Sequence, residues 1–322
     1  MFSKDLIKGH NTVIVAVLNW GLGHACRSMP IIDCLHSQGK NVIIASDGIA
    51  LEVLTKRYPD LDYESLPAYK VRYKSKHLSG IVFRNIPNVA RAIFKERKTA
   101  QKLVKKYNAD LIVSDSRFGF RSGKCRSVII SHQLSMQAES KFIKALMNIP
   151  NRGLLNAFDE VWVPDYQDRK LTGTLSKNKK IKNKVFIGPL STLKKVETAK
   201  QYDIAIILSG PESARTNLEN TLIHKYQDSN KRVVLVRGTK EGIRTSTPDH
   251  WTIYDLATRR DIEHILSSTS QVISRSGYTS IMDYYLLGVP AQLIPTPGQS
   301  EQEYLAKHLA GKYGFQIIYS TV

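Results

Sequence analysis

Gln271-Val272-Ile273-Ser274-Arg275-Ser276-Gly277-Tyr278-Thr279-Ser280-Ile281-Met282-Asp283, running on through Gly288-Val289-Pro290 to Ala291-Gln292-Leu293-Ile294, is the stretch that decides how this chain folds. Its first three residues read as a strand, Gly277 permits a tight turn, Thr279 and Ser280 suit the start of a helix, and residues 291–294 read as a second buried strand. Strand, helix and strand in that order make a βαβ unit with parallel strands.

The same alternation extends outward from this unit. Strands are expected at residues 203–208, 232–236 and 252–254 before it and at 315–319 after it, and a separate series at 12–18, 41–46, 111–114, 127–131 and 160–163 fills the first half. The expected fold class is therefore α/β, with two doubly wound Rossmann-like domains facing a cleft. Between the series, residues 165–201 are polar, Lys-rich and broken by Gly188-Pro189. This divides the chain into an N-terminal domain at 1–165, a linker at 166–200 and a C-terminal domain at 201–322. Sheets of this kind bind ligands beyond the carboxyl ends of their strands, and two-lobed proteins hold substrate between the lobes.

Composition limits the function. With 322 residues, 42% hydrophobic and 23% charged, the chain supports two ordinary cores. No apolar run approaches the ~20 residues that span a bilayer, and residues 1–11 lack an apolar signal region, so a cytoplasmic protein is expected. Cys26, Cys34 and Cys125 form no C-x-x-C pair, and neither a disulfide framework nor a metal site is expected. The net charge of +19 is uneven: residues 70–106 hold twelve Lys/Arg against one acid, Glu96, and residues 169–184 hold seven with none. The first cluster also contains Tyr69, Tyr73, Phe83 and Phe94. An anionic acceptor or an anionic membrane surface would suit it, as would a solvated lysine-rich face. No helix-turn-helix, zinc-finger or RRM pattern is present, so no specific nucleic acid is expected despite a pI near 9.7.

The strand at 12–18 runs into Asn19-Trp20-Gly21-Leu22-Gly23-His24-Ala25-Cys26-Arg27, followed by an amphipathic helix expected at 29–37. Gly21 and Gly23 allow a strand-to-helix turn, and with Arg27 they mark a candidate phosphate turn; such turns also occur where no ligand binds. A histidine's ordinary pKa lies near working pH, which makes His24 the candidate general base, although a histidine here also serves as a cap. Asp115, ending the strand at 111–114 with Arg117 two residues on, is the candidate partner that orients it; an acidic turn residue is the other reading. In the second half, Asp283 lies one helical turn after Thr279, where a carboxylate can accept both hydroxyls of a ribose. The turn from Pro295 to Tyr304 brings further carboxylate and amide groups.

These motifs resemble the GT-B glycosyltransferases, most closely the group containing the GlcNAc transferase of the lipid-linked peptidoglycan precursor. The donor signature of that group, Ser-Arg-x-Gly with an acid six residues after the glycine, is matched at Ser274, Arg275, Gly277 and Asp283; its Gly-x-Pro, Pro-x-Pro and acid-Gln elements are matched at Gly288/Pro290, Pro295/Pro297 and Glu301-Gln302. The resemblance implies that Asp283 binds the ribose, that Ser276, Gly277 and Thr279, with Arg275 beside them, lie near the pyrophosphate, and that Glu301 and Gln302 hold the donor sugar. Asp283 stands where the relatives usually carry Glu, one methylene longer. Ser209-Gly210-Pro211-Glu212 occupies the place of the glycine-rich loop, with Arg215 as the candidate to offset leaving-group charge; a solvated helix-start arginine is the alternative. Relatives have Pro three residues after the histidine, whereas this chain has Arg27.

The implied activity is an inverting, metal-independent transfer of a sugar from a nucleotide-sugar, expected to be a UDP-sugar, to an acceptor hydroxyl on a lipid-linked or anionic acceptor. The nucleotide-sugar is a substrate, so no cofactor is expected, and a peripheral place on the inner face of the membrane fits the basic surface. A nucleotide-sugar epimerase on the same fold and a basic nucleic-acid-binding protein are the competing readings. The chain ends soon after residue 319, without the crossing helix usual in such enzymes, so a short or truncated member is expected.

Overall fold

The computed structural model describes residues 2–68, 78–138, 140–239 and 245–318, with the side chains of 78–87 outside that description. The chain divides into two compact units, Met1–Thr192 and Leu193–Val322.

The first unit opens with a short 3-10 turn and continues as β1 (Thr12–Val17), α1 (Leu22–Ser37), β2 (Asn41–Ser46), α2 (Gly48–Arg57), β3 (Asp62–Ser65), α3 (Leu78–Tyr107), β4 (Leu111–Asp115), β5 (Arg126–Ile130), α4 (Lys141–Leu155), β6 (Glu160–Val163) and β7 (Lys184–Phe186). These strands form one seven-stranded parallel sheet in the order β3-β2-β1-β4-β5-β6-β7. Its central strands are apolar on both faces, as parallel strands covered by helices must be. Ile14, Ile43 and Ile112 pack with Ala100, Leu103 and Val104 of α3 in one core cluster. Ile129, Val161 and Val163 pack with Leu155 and Phe158 in another.

The second unit contains β8 (Tyr202–Ile207), α5 (Ala214–Tyr226), β9 (Val233–Val236), β10 (Thr252–Tyr254), α6 (Arg259–Ser268), β11 (Thr269–Arg275), α7 (Tyr278–Leu287), β12 (Ala291–Ile294), α8 (Ser300–Leu309) and β13 (Phe315–Ile317). Its six parallel strands run β10-β9-β8-β11-β12-β13. Ile204, Ile206, Leu235 and Ile273 pack against Leu218, Leu222 and Ile223 of α5. Each sheet therefore starts near its middle, grows to one edge and returns to grow toward the other.

Three expectations are corrected. The segment 166–192 is not a linker: β7 lies on the edge of the first sheet, and the buried Asp165 carboxylate accepts hydrogen bonds from the N–H groups of Tyr166, Leu171 and Thr172 at 2.7, 3.2 and 2.7 Å. β3 was not expected, because its residues are polar and largely exposed. The first helix starts at Leu22 rather than 29, with Pro30 inside it, although proline is commonest in the first helical turn. Of the basic cluster, Tyr69, Lys70, Arg72, Tyr73, Lys74 and Lys76 lie outside the described residues, as do the side chains of Phe83 and Arg84. Tyr319 is also outside them.

Candidate active site

In the first sheet β1 pairs with β2 on one side and β4 on the other. The chain leaves β1 toward one edge and β4 toward the other, so their carboxyl ends flank a crevice, the usual ligand position in open parallel sheets. After β1 the backbone turns at Gly21, whose φ of +78° is in the left-handed region that favours glycine, and α1 begins. Gly23 and His24 occupy the first turn of α1, and Arg27 follows on the same face.

His24 Nδ1 lies 3.1 Å from Asp115 Oδ1. Asp115 is fully buried at the end of β4 and is held from several directions. Arg27 donates from Nε to Oδ2 at 2.8 Å and from Nη2 to Oδ1, and Ser28 Oγ donates to Oδ2 at 3.0 Å. Arg27 Nη2 also lies 2.9 Å from Ser116 Oγ and 2.9 Å from His24 Nδ1, while its Nη1 lies 3.3 Å from His132 Nδ1, just beyond β5. Ser116 has φ +57°, a strained conformation for a residue with a β-carbon, and strain of this kind collects at functional sites. Burial would favour the neutral carboxyl of Asp115, but Arg27 and then His24 outweigh it and hold the group well below the usual carboxylate range. For His24, burial first and the Arg27 charge second hold the imidazole below its ordinary value, against the upward pull of Asp115.

The expected pair His24 and Asp115 is thus brought together, and Arg27 takes a different place from the one expected. At 3% exposure it is committed to Asp115 and Ser116, not presented to a phosphate. Nor does Arg117 support His24. It is fully buried and donates to Glu96 Oε1 at 2.5 Å, Asp47 Oδ1 at 2.7 Å and the carbonyls of Val17 and Pro67. Sequence reading missed Ser28, Ser116 and His132; His132 could have been found as a titratable residue just past the end of a strand.

In the second unit β8 and β11 are neighbours, with Ile207 opposite Ser274, so the loops that follow them emerge at the same edge. Ser209 and Gly210 are exposed in the first loop, Gly210 at φ +105° and Ser213 at φ +65° just before α5. Gly277 precedes α7, and Thr279 is in its first turn with Asp283 half-buried one turn later. The N-terminal ends of α5 and α7, where a helix carries partial positive charge, lie at this edge. Ser276 Oγ donates to the Gln302 carbonyl at 2.9 Å, which joins the turn after β11 to α8. Gln302 is partly committed, because its Oε1 accepts from Thr296 N at 3.0 Å and its Nε2 donates to Gln299 Oε1 at 2.7 Å. Glu301, in the first turn of α8, is half-buried.

The two arginines here differ. Arg215 was expected to meet phosphate, yet all five of its N–H donors are spent: on Glu212 Oε1 at 3.0 and 2.7 Å, Glu219 Oε2 at 3.2 Å, the Arg237 carbonyl at 3.2 Å and Thr216 Oγ1 at 3.3 Å. It is a structural clamp. Arg275, 5% exposed, donates to the carbonyls of Pro295 and Ala214 at 3.1 and 2.8 Å and meets no carboxylate among the described residues. Burial alone pulls its pKa down. A guanidinium with no acidic partner suits an anion better than one already neutralised.

Comparison with known proteins bears on the family and the fold. The chain is 24% identical, over 76% of its length and 73% of the relative's, to a UDP-N-acetylglucosamine–N-acetylmuramyl-(pentapeptide) pyrophosphoryl-undecaprenol N-acetylglucosamine transferase of Leuconostoc mesenteroides. Among solved structures it resembles the glycotransferase of kitacinnamycin, with a TM-score of 0.68, 15% identity, and 98% of this chain and 88% of that one covered. It also resembles a spinosyn rhamnosyltransferase complexed with thymidine diphosphate, with a TM-score of 0.66, 14% identity and coverages of 95% and 86%. These neighbours have the two-domain GT-B fold. The sequence pattern of Glycosyl transferase family 1 matches residues 11–320, and the chain therefore belongs to that family and is a glycosyltransferase.

Proposed function

We propose that this glycosyltransferase moves a sugar from a UDP-sugar to an acceptor hydroxyl with inversion, using His24 as the base. The observation that carries the reading is the 3.1 Å contact between His24 Nδ1 and the buried carboxylate of Asp115. With Nδ1–H directed at Asp115, the Nε2 lone pair is available to a substrate proton. As the acceptor oxygen attacks the anomeric carbon, its proton passes to His24 Nε2. The bond from that carbon to the diphosphate breaks, and the nucleoside diphosphate leaves with the electron pair. A single displacement of this kind inverts the anomeric centre.

The division of labour follows the expected domains, acceptor in the N-terminal one and donor in the C-terminal one. Asp283 binds the ribose, Glu301 and Gln302 hold the sugar, and Ser209, Gly210, Ser276, Gly277 and Thr279 line the diphosphate. Its charge is offset by the start of α7 and by Arg275 rather than by Arg215, and neither a metal nor a cofactor takes part in this scheme. A thermal-shift series with UDP-, dTDP- and GDP-sugars tests the donor, since a ligand that binds only the folded state raises the melting temperature. The largest shift with a non-uridine nucleotide would overturn the UDP assignment. Product from a chosen donor and an acceptor library, with its anomeric configuration read by NMR, tests inversion. Epimerised sugar nucleotide formed without acceptor would point to the epimerase instead.

A lipid-linked acceptor, and a peripheral place on an anionic membrane, are supported by the surface of the first unit. Phe94 on α3 is exposed with Lys98 Nζ 4.6 Å over its ring, and Phe142, Leu146 and Ile149 are exposed along α4. No acid occurs between residues 140 and 158, and a helix with apolar and basic side chains of this kind suits a lipid interface. Among the described residues no helix is long and apolar enough to cross a membrane. Flotation with liposomes containing phosphatidylglycerol, compared with neutral liposomes, tests this, and absence of binding at low salt would remove the membrane proposal.

A further inference from the structure

Arg27 stands where relatives of the resembling group carry proline, and its surroundings give that departure a chemical purpose. Its guanidinium spans three elements: Asp115 and Ser116 at the end of β4, His24 one turn earlier on α1, and His132 beyond β5. Nη2 has two protons. When one goes to Asp115 Oδ1 and the other to Ser116 Oγ, none remains for His24 Nδ1, which must then carry its own proton and give it to Asp115. That tautomer leaves Nε2 as the basic nitrogen.

We propose that Arg27 is a positioning residue for transfer: its two-pronged bond to Asp115 fixes the imidazole of His24 in the Nδ1–H tautomer and offsets the carboxylate charge that would otherwise favour imidazolium. The proposal rests on the reading of His24 as the base. In a simple His–Asp pair the carboxylate stabilises the protonated ring and so raises its pKa. Here the carboxylate is shared with a permanent cation, and the direction is reversed, with burial, then Arg27 and, to a smaller degree, His132 pushing the His24 pKa down against Asp115. The charged and titratable groups facing the ring are thus Arg27 from α1, Asp115 from β4 and His132 after β5. Asp47, at the start of α2, is turned to Arg117 instead. The benefit is that His24 stays neutral, and competent to take a proton, in solution acidic enough to protonate an ordinary histidine.

The sign is testable without turnover. Full-length protein labelled with 15N and 13C in histidine, with the His24 signals assigned by their loss in His24→Gln, should show the Nδ1–H tautomer and a titration midpoint below about 6.5, the ordinary histidine value. The Nε2–H tautomer, or a midpoint at or above that value, would overturn the proposal. In Arg27→Gln the midpoint should rise by about one unit, a roughly tenfold increase in the imidazolium-to-imidazole ratio at a fixed pH above the midpoint. Arg27→Lys, which keeps the charge without the fork, should fall between the two. An unmoved midpoint in a folded Arg27→Gln protein counts against the proposal. If that variant does not fold, the wild-type and Arg27→Lys titrations still decide it. Because the titration needs no substrate, its failure is distinct from failure of the base assignment, which is read from transfer by His24→Ala.

Discussion

The two sheets share the order of their first six strands and turn opposite chemistry toward their carboxyl edges. At the β1/β4 edge of the first unit, titratable groups converge: a histidine, a buried carboxylate and an arginine lie within hydrogen-bonding distance. At the β8/β11 edge of the second, Arg215 is neutralised by Glu212 and Glu219, and hydroxyls, glycines and helix starts stand beside Arg275 at the end of β11. Both edges contain a serine in the left-handed region, Ser116 and Ser213, so both store backbone strain where the chain reverses its direction of growth. Under the proposed function the same topology would serve two tasks, proton transfer in one unit and anion recognition in the other. A doubly wound sheet supplies a place, and the side chains in the first turn beyond each strand decide its use.

The comparison can be broken most decisively at His24. Replacing it with Ala should lower kcat by about 10²–10⁴, the usual contribution of a positioned base, and leave donor affinity by calorimetry unchanged. Near-normal turnover would remove proton transfer from the first unit. Arg117→Met tests whether the other buried charges nearby are structural. It leaves Glu96 and Asp47 without their cation and should destabilise the fold by about 3–5 kcal/mol in urea titration. The arginines of the second unit sharpen the anion side. Arg275→Met should weaken UDP binding by roughly 10- to 100-fold, the cost of losing a charged hydrogen bond, while Arg215→Met should lower the melting temperature and change UDP affinity in the folded protein by less than about threefold. Equal effects on binding would mean that the two guanidinia are not distinguished by their partners. A smaller loss than at Arg275 is expected at Asp283→Asn, which keeps one acceptor oxygen for the ribose and should raise the donor KM about three- to tenfold with little change in kcat.

The central strands were legible because a parallel strand buried on both faces is a run of Val, Ile and Ala between turns, as in β1 and β9. The edges were not. β3 reads Asp-Tyr-Glu-Ser, and β7 has only three residues set in a lysine-rich stretch, so neither carries the apolar signal of a core strand. At the site, the meeting of His24 with Asp115 was legible, because each follows a strand and the strands are neighbours in a doubly wound sheet. The arginines were not. Whether a guanidinium faces a ligand depends on which carboxylates lie within reach, and Glu219 for Arg215, or Asp115 for Arg27, is a matter of three-dimensional register. In the sequence Arg27 reads as part of a phosphate turn and Arg215 as an arginine near leaving-group charge, and neither stretch names the carboxylate that claims it.

Arg275 has one more consequence. Its two hydrogen bonds tie the first residue of α5 to the carbonyl just past β12, so the loop after β8 and the loop before α8 are fastened through one side chain. Either loop can swing away only by breaking its hydrogen bond to this guanidinium. The two loops should therefore loosen together rather than one at a time, so that amide exchange in either reports on both.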